Sequence, residues 1–341
     1  MNNKNNNFDS QKALFDILLG PLRWSAIELG FKTQLFDHFR HPNQAHCVAS
    51  NYGWRTEQLI LLLNAYVSIG LMIKEAQFYR LHPSYIELLY SKSEGYMGDT
   101  LCLLVKVKQL PIERAIQWLT HSNNRDCNIN LRDPSFWKQA FQRLHTFHIS
   151  TRNPSLVPLL EVLPQWKDGM QLLDVGAGSP ELAKTICTQF PSSEVTLFDL
   201  PPCSHEMTEH LQNNPWEGDN RVRLLEGDMN DGQFGGSYDI ILAAMSLYFA
   251  EDLGQCVEQL WQCVKPGGVL VSFHETLNED RTAPSFHIVG RLPAELANGA
   301  LSLEFGTLEQ ALSACNPSNL ATKVVNTPYG EMAFSVATKP V

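Results

Sequence analysis

The 341 residues predict an α/β chain in two parts, a mainly helical amino-terminal module followed by a doubly wound, mostly parallel sheet. Three observations carry this. Apolar residues recur at three- and four-residue spacing through residues 8–100. From Met170 onward, short β-runs alternate with helical segments. One of those runs leads directly into Gly176-Ala177-Gly178, where a helix follows.

In the amino-terminal part, Leu14, Ile17, Leu18 and Leu22 form a helical stripe that Trp24, Ile27, Leu29 and Phe31 extend. Glu57 to Asn64 is a strongly apolar helix that runs to Gly70. Leu71–Lys74 and Phe78–Leu81 are β-like runs on either side of Glu75-Ala76-Gln77, which predicts a hairpin. Helices followed by a hairpin make residues 1–100 a winged-helix-like module. The helix near Thr56 to Asn64 is almost uncharged and lacks the Arg and Lys that read a DNA groove. A dimerisation role is expected instead, with the first helix burying its stripe against a partner chain.

Residues 101–165 are expected to be linker and substrate-pocket helices, interrupted by a loop around Ser122 to Asn130. Phe136, Trp137, Phe141, Leu144, Phe147 and His148 share one amphipathic helix, with Asp133-Pro134 as its N-cap and first-turn proline. In residues 166–341, strands are read at 171–175, 194–198, 221–225, 238–243 and 268–273. Helices are read near 180–190, 204–212, 251–264 and 306–315, and an antiparallel hairpin of 320–326 and 331–338 closes the chain.

The formal charge is −10, and Lys and Arg are scattered. Binding to nucleic acid or to an anionic membrane needs a concentrated positive field, so a small-molecule substrate is expected. No stretch of roughly twenty apolar residues is present to span a bilayer. The Asn-rich opening lacks the apolar region of a secretory signal and reads as a frayed tail, so a cytoplasmic location is expected. The eight cysteines form no C-x-x-C pair and have no His at metal-ligand spacing, which predicts free thiols and no bound metal.

The chemistry gathers at the carboxyl ends of the strands, where open α/β sheets bind ligands. Gly176 and Gly178 allow the backbone to pass close to a ligand without a Cβ clash. The third glycine of a dinucleotide fingerprint is absent, because Glu181 holds its place after Pro180, and a carboxylate there would repel a pyrophosphate. Asp174 can accept from a ligand ammonium group, and Asp199, 25 residues on, from two ribose hydroxyls. Asp228 can accept from an adenine amino group while Met229 packs on the ring. Each residue has an ordinary reading too: Asp174 as a loop acid, Asp199 as a turn residue, Met229 as core.

Taken in order, these features resemble the class I methyltransferases that use S-adenosylmethionine (SAM), whose catalytic domain is Rossmann-like. Leu19-Gly20, Leu29-Gly30-Phe31 and Ile69-Gly70-Leu71 extend the resemblance to the small-molecule O-methyltransferases of the caffeate, hydroxyindole and polyketide-tailoring type. The resemblance implies SAM as cofactor, S-adenosylhomocysteine as product, an intertwined homodimer, and Leu200 and Ala243 as further cofactor contacts. It also implies a histidine base after the fourth strand, and here Leu247 occupies that position. Three routes stay open: another side chain acts as base, the acceptor is an acidic hydroxyl, a carbon or a nitrogen, or proximity and desolvation suffice. The candidate replacements are His274, in Ser272-Phe273-His274-Glu275, and Tyr248. His148, Phe141 and Phe286 are candidate substrate-pocket residues, although for each a structural role is the ordinary reading. A SAM-binding protein without methyl transfer is the alternative outside enzymes.

Overall fold

The computed structural model describes residues 2–120, 130–300 and 302–341, with the backbone alone for residues 2–7, 107, 139 and 298. The loop expected around Ser122 to Asn130 lies almost entirely outside the described residues, as does Cys127. The chain divides into two compact units, Met1–Cys102 and Leu103–Val341. The helices of residues 103–165 belong to the second.

The first unit comprises α1 (Asn2–Lys32), β1 (Asn43–Gln44), α2 (Ala45–Tyr52), α3 (Thr56–Ser68), β2 (Met72–Glu75), β3 (Phe78–Leu81) and α4 (Ile86–Leu89). β2 and β3 form the expected antiparallel hairpin, and β1 adds to its β3 edge. Phe36, Phe39, Leu59, Leu63, Tyr66 and Leu81 make a core excluded from water. Gly30 is required where it stands, since a Cβ there would meet the Phe36 ring at 2.4 Å. The α1 stripe stays outside this core. Leu14, Ile17, Leu18 and Leu22 are each 67–72% exposed on the single chain.

α5 (Gly98–Val107) begins at the boundary, and α6 (Ile112–Thr120), α7 (Pro134–Phe147) and α8 (Asn153–Leu160) lie in the second unit. Asp133 caps α7 by accepting from the Ser135 N–H at 2.9 Å, with Pro134 in the first turn, as the sequence predicts. The remaining elements alternate. They are β4 (Gln171–Val175), α9 (Glu181–Gln189), β5 (Glu194–Asp199), α10 (Pro201–Asn213), β6 (Val222–Glu226), β7 (Tyr238–Ala244) and α11 (Leu253–Gln262). β8 (Val264–Glu275), α12 (Ser285–Asn298), α13 (Thr307–Ala314), β9 (Asn319–Thr327) and β10 (Gly330–Thr338) complete the chain.

The seven strands run in the order β6-β5-β4-β7-β8-β10-β9, with β9 and β10 as the antiparallel hairpin. This is a Rossmann-like sheet. Alternate residues serve opposite faces: Leu172, Leu197, Ile240, Leu242 and Val271 fill one core, and Leu173, Phe198, Ile241 and Leu270 the other. Both faces are covered, so the inner strands read as nearly continuous apolar runs. Lys265-Pro266-Gly267-Gly268, a turn to judge from its composition, lies inside β8 instead. Tyr238 pairs with Val264 and Ile240 with Val269, so these residues bulge out of the ladder, with Gly267 at φ 74°.

β4 and β7 run parallel, and between them the order in which the chain adds strands reverses, which makes this the topological switch point, next to the glycine loop. Leu242, fully buried at the centre of this sheet, is expected to lose 2–5 kcal/mol of stability on Leu242→Ala, measured by denaturant unfolding.

Candidate cofactor and active site

β4 is buried along its length and ends in a loop that turns towards β5. The N–H groups of Gly176 and Ala177 both donate to the carbonyl of Phe198, at 2.8 and 3.2 Å. Asp199 then grips the loop from the end of β5. Its Oδ2 accepts from the Gly178 N–H at 2.9 Å, and its Oδ1 from the Leu200 N–H at 2.8 Å. Burial pushes the Asp199 carboxyl up, and these two N–H bonds work against that. An ionised carboxylate has about four acceptor positions, so capacity for ligand hydroxyls is left. Gly176 and Gly178 have φ of 69° and 67°, and a Cβ on them would come within 2.6 Å of Ser246 and 2.7 Å of Leu144.

Asp174 sits beneath this loop, fully buried, and neither carboxylate oxygen has a hydrogen-bond partner. Its nearest cation is the buried Arg152, at 3.9 Å, whose Nη1 also donates to the carbonyl of Ala177. Burial raises the Asp174 carboxyl to about 6, with Arg152 opposing. Asp174 therefore already has a counter-ion within the chain. Asp228 is also engaged: Oδ1 accepts from the Asn230 backbone and side-chain N–H groups at 3.0 and 2.8 Å, and Oδ2 pairs with Arg132. Met229 packs against the core beside β7, and Ala243 is buried in β7 opposite Val175.

The expected pocket residues are placed differently. His148 hydrogen-bonds through Nδ1 to Ser179 Oγ at 2.7 Å, and its ring lies 3.2 Å from where a Gly178 Cβ would be. Burial and the Arg152 charge hold it neutral, well below the usual histidine range. It braces the glycine loop. Phe141 is buried and stacks on His145 at 6.0 Å, so it belongs to the packing of α7. Phe286 is half exposed on α12, with the Lys108 ammonium 5.7 Å above its ring.

At the rim beyond β7 and β8, Leu247 is 1% exposed and contributes to the core. His274 does not present a free base. Its Nε2 accepts from the Ser246 and Leu247 N–H groups at 3.0 and 2.9 Å, which makes the ring a neutral Nδ1–H tautomer. Burial, helped by the nearby Arg291, lowers its pKa to about 3. The geometry makes His274 a positioning residue that holds the turn after β7, where Met245 has a φ of 59°. Tyr248 packs edge-on to His274 at 5.9 Å, and burial raises its phenol while Arg291 opposes the rise.

Sequence reasoning missed the cation here. The Arg291 guanidinium lies 4.5 Å over the Tyr248 ring and pairs with the buried Glu275. Lys108 donates to the carbonyl of Gly290, and both burial and Arg291 lower its pKa. Arg291 lies in the stretch 281–305, which offers no motif; its one cue is a cation on a helix after the last parallel strand. A separate cavity of 360 Å³ opens at the amino-terminal ends of the strands, beside Thr196, Arg221 and Tyr238. Open sheets bind ligands at the other end, so it lies away from the chemistry.

Residues 173–270 match the family model described as a methyltransferase domain. The match runs from β4 into β8, the part of the sheet that carries the glycine loop. Acetylserotonin O-methyltransferase of Macaca mulatta is 28% identical over 33% of this chain and 32% of its own length. The matched stretch thus spans about a third of that relative. The tetracenomycin polyketide synthesis 8-O-methyltransferase TcmO of Streptomyces glaucescens is 21% identical over 67% of this chain and 68% of its own. Among solved structures, the pyocyanin biosynthetic protein PhzM superposes with a TM-score of 0.76 at 17% identity, covering 97% of this chain and 99% of that one. Human N-acetylserotonin methyltransferase in complex with SAM gives 0.73 at 18%, covering 97% and 98%. These likenesses establish that the helical part and the methyltransferase domain share the architecture of O-methyltransferases.

His274→Ala leaves two buried N–H donors unsatisfied, each worth about 1–3 kcal/mol. Because the folded ring resists protonation, its contribution is full above about pH 6.5 and is lost as pH falls towards 3. Denaturant unfolding across that range should show the loss in the wild type, with the difference between wild type and variant largest near neutrality.

Proposed function

We propose that this chain is a SAM-dependent methyltransferase acting on a small-molecule acceptor, with transfer to oxygen favoured. The observation that carries the reading is the glycine loop at the switch between β4 and β7, gripped by Asp199. The residues present fit the cofactor. Asp199 retains acceptor capacity, and Asp174 has orphaned acceptors beneath; the absent glycine Cβ atoms let Ser246 and Leu144 pack against the loop. Asp228 fits less simply, since a ring amino group has to displace Arg132. When bound, SAM supplies an electrophilic methyl group on a sulfonium. Gly176, Gly178, Asp199 and Leu200 would hold it, with Met229 and Ala243 at the edges of the site.

The chain's own contribution to the acceptor is electrostatic. With Leu247 buried and His274 Nε2 occupied, Arg291 is the cation beside Tyr248, and it favours an anionic oxygen there to the extent that the oxygen shares it with Glu275. A cation within a few ångströms lowers the pKa of a hydroxyl, so the proton can pass to water before transfer and no side-chain base is needed. Acceptors that ionise readily suit this site. The same geometry favours, as the second reading, a carbon or nitrogen acceptor that needs no base. We further propose a homodimer formed through the winged-helix-like unit, supported by the exposed apolar stripe of α1. A cytoplasmic location is supported by seven free cysteines among the described residues.

Calorimetry should give SAM and S-adenosylhomocysteine binding, weakened about tenfold or more by Asp199→Asn, which removes one charged acceptor. Affinity for NAD with none for SAM overturns the proposal. S-adenosylhomocysteine should accumulate only when a cell extract supplies acceptor, and Arg291→Gln should slow this about 100-fold while leaving SAM affinity intact. Binding without product under any extract favours a SAM-binding protein. In sedimentation, Ile17→Glu with Leu18→Glu should convert a dimer to monomer, and a monomeric wild type refutes the assembly.

A further inference from the structure

The residue that stands where a dinucleotide fingerprint has its third glycine has no part in the cofactor chemistry above. Glu181 opens α9 shortly after the glycine loop and lies beside two histidines from other helices. His145 Nδ1, on α7, lies 3.4 Å from Glu181 Oε1, and His210 Nε2, on α10, lies 3.9 Å from the same oxygen. One ligand atom from each residue can be chosen so that all three fall within 4.8 Å of one another. His145 is 9% exposed, and its Nδ1 is buried with no hydrogen-bond partner, aimed at this point. The two imidazole rings are 4.5 Å apart, and Phe141 packs against both, at 6.0 and 5.6 Å, which walls the cluster on one side.

We propose that His145, Glu181 and His210 form a binding site for a zinc-type divalent cation, with a fourth position left for water. Two imidazoles and one carboxylate are a ligand set that zinc accepts, with the open position typical of three-ligand sites. Around a tetrahedral zinc with bonds of roughly 2.0–2.1 Å, neighbouring ligand atoms stand about 3.4 Å apart. The Glu181 to His145 distance already matches, and the other two need only small side-chain adjustments. Lys184, one turn along α9, acts on both histidines and opposes a second cation there. The Glu181 carboxylate is closer in and offsets it. A bound ion would tie α7, α9 and α10 together directly behind the glycine loop, and this inference does not depend on methyl transfer.

The test uses the full chain stripped of metal with a chelator. Titration with Zn²⁺ should show one equivalent bound with micromolar or tighter affinity and a rise in melting temperature. Loss of an outer-shell partner typically costs about 10–100-fold in metal affinity, so His210→Gln and Glu181→Gln should each weaken binding at least tenfold. Should either variant fail to fold, Co²⁺ added to the wild type decides the matter. Intense visible bands of four-coordinate cobalt with nitrogen and oxygen ligands support the site, and weak six-coordinate bands refute it. Absence of stoichiometric Zn²⁺ binding, or equal affinity in folded variants and wild type, also overturns the proposal.

Discussion

The Asp199 carboxylate joins two strands, a loop and a helix through two hydrogen bonds. By accepting from the Gly178 N–H it holds the glycine loop against the end of β5, and by accepting from the Leu200 N–H it sets the entry to α10. The loop has no side chains of its own to pack at residues 176 and 178, so its position comes from these acceptors and from the carbonyl of Phe198. Without them, left-handed glycines would leave the backbone free to move. The register of β4 with β5 and β7 puts that held loop at the topological switch point, at the carboxyl ends of the strands where open sheets bind ligands.

Beneath and beside the loop, the chain buries several polar groups. Asp174 and Arg152 face each other at the edge of ion-pair distance with little exposure to water, and His148 meets Ser179 next to them. Buried ions of this kind add little net stability, but removing one partner strands the other. Their value lies in fixing geometry. The same logic applies to His274, whose ring is committed to two backbone donors and so shapes the turn on which Leu247 and Tyr248 stand.

The methyltransferase domain therefore separates its tasks. The ends of β4 and β5 present backbone groups and one carboxylate, which is the site proposed for the cofactor. The rim beyond β7 and β8 carries Tyr248, Glu275 and Arg291, charge without a free imidazole. The Glu275–Arg291 pair balances its own charge, so the preference proposed for an anionic acceptor depends on that acceptor sharing Arg291.

Periodicity marks the cores of the strands, most of the helices between them and the terminal hairpin, because burial on both faces of a parallel sheet forces continuous apolar runs; α12 and the start of β8 are not among what it marks. The glycine loop and Asp199 were legible for a related reason: local backbone geometry demands those residue types at those places. What only the tertiary structure decided depends on distance across the fold. His274 is as good a base as any histidine in the sequence, and only the position of the turn after β7 shows that Nε2 is taken. Arg132 reaches Asp228 from 96 residues away, and Arg291 on α12 reaches Glu275 at the end of β8, contacts without any spacing signature. His145, Glu181 and His210 lie on three separate helices, so a search for ligands close in sequence passes over them. The sequence carries the local rules of backbone and burial; the partners of each charged side chain are set by packing.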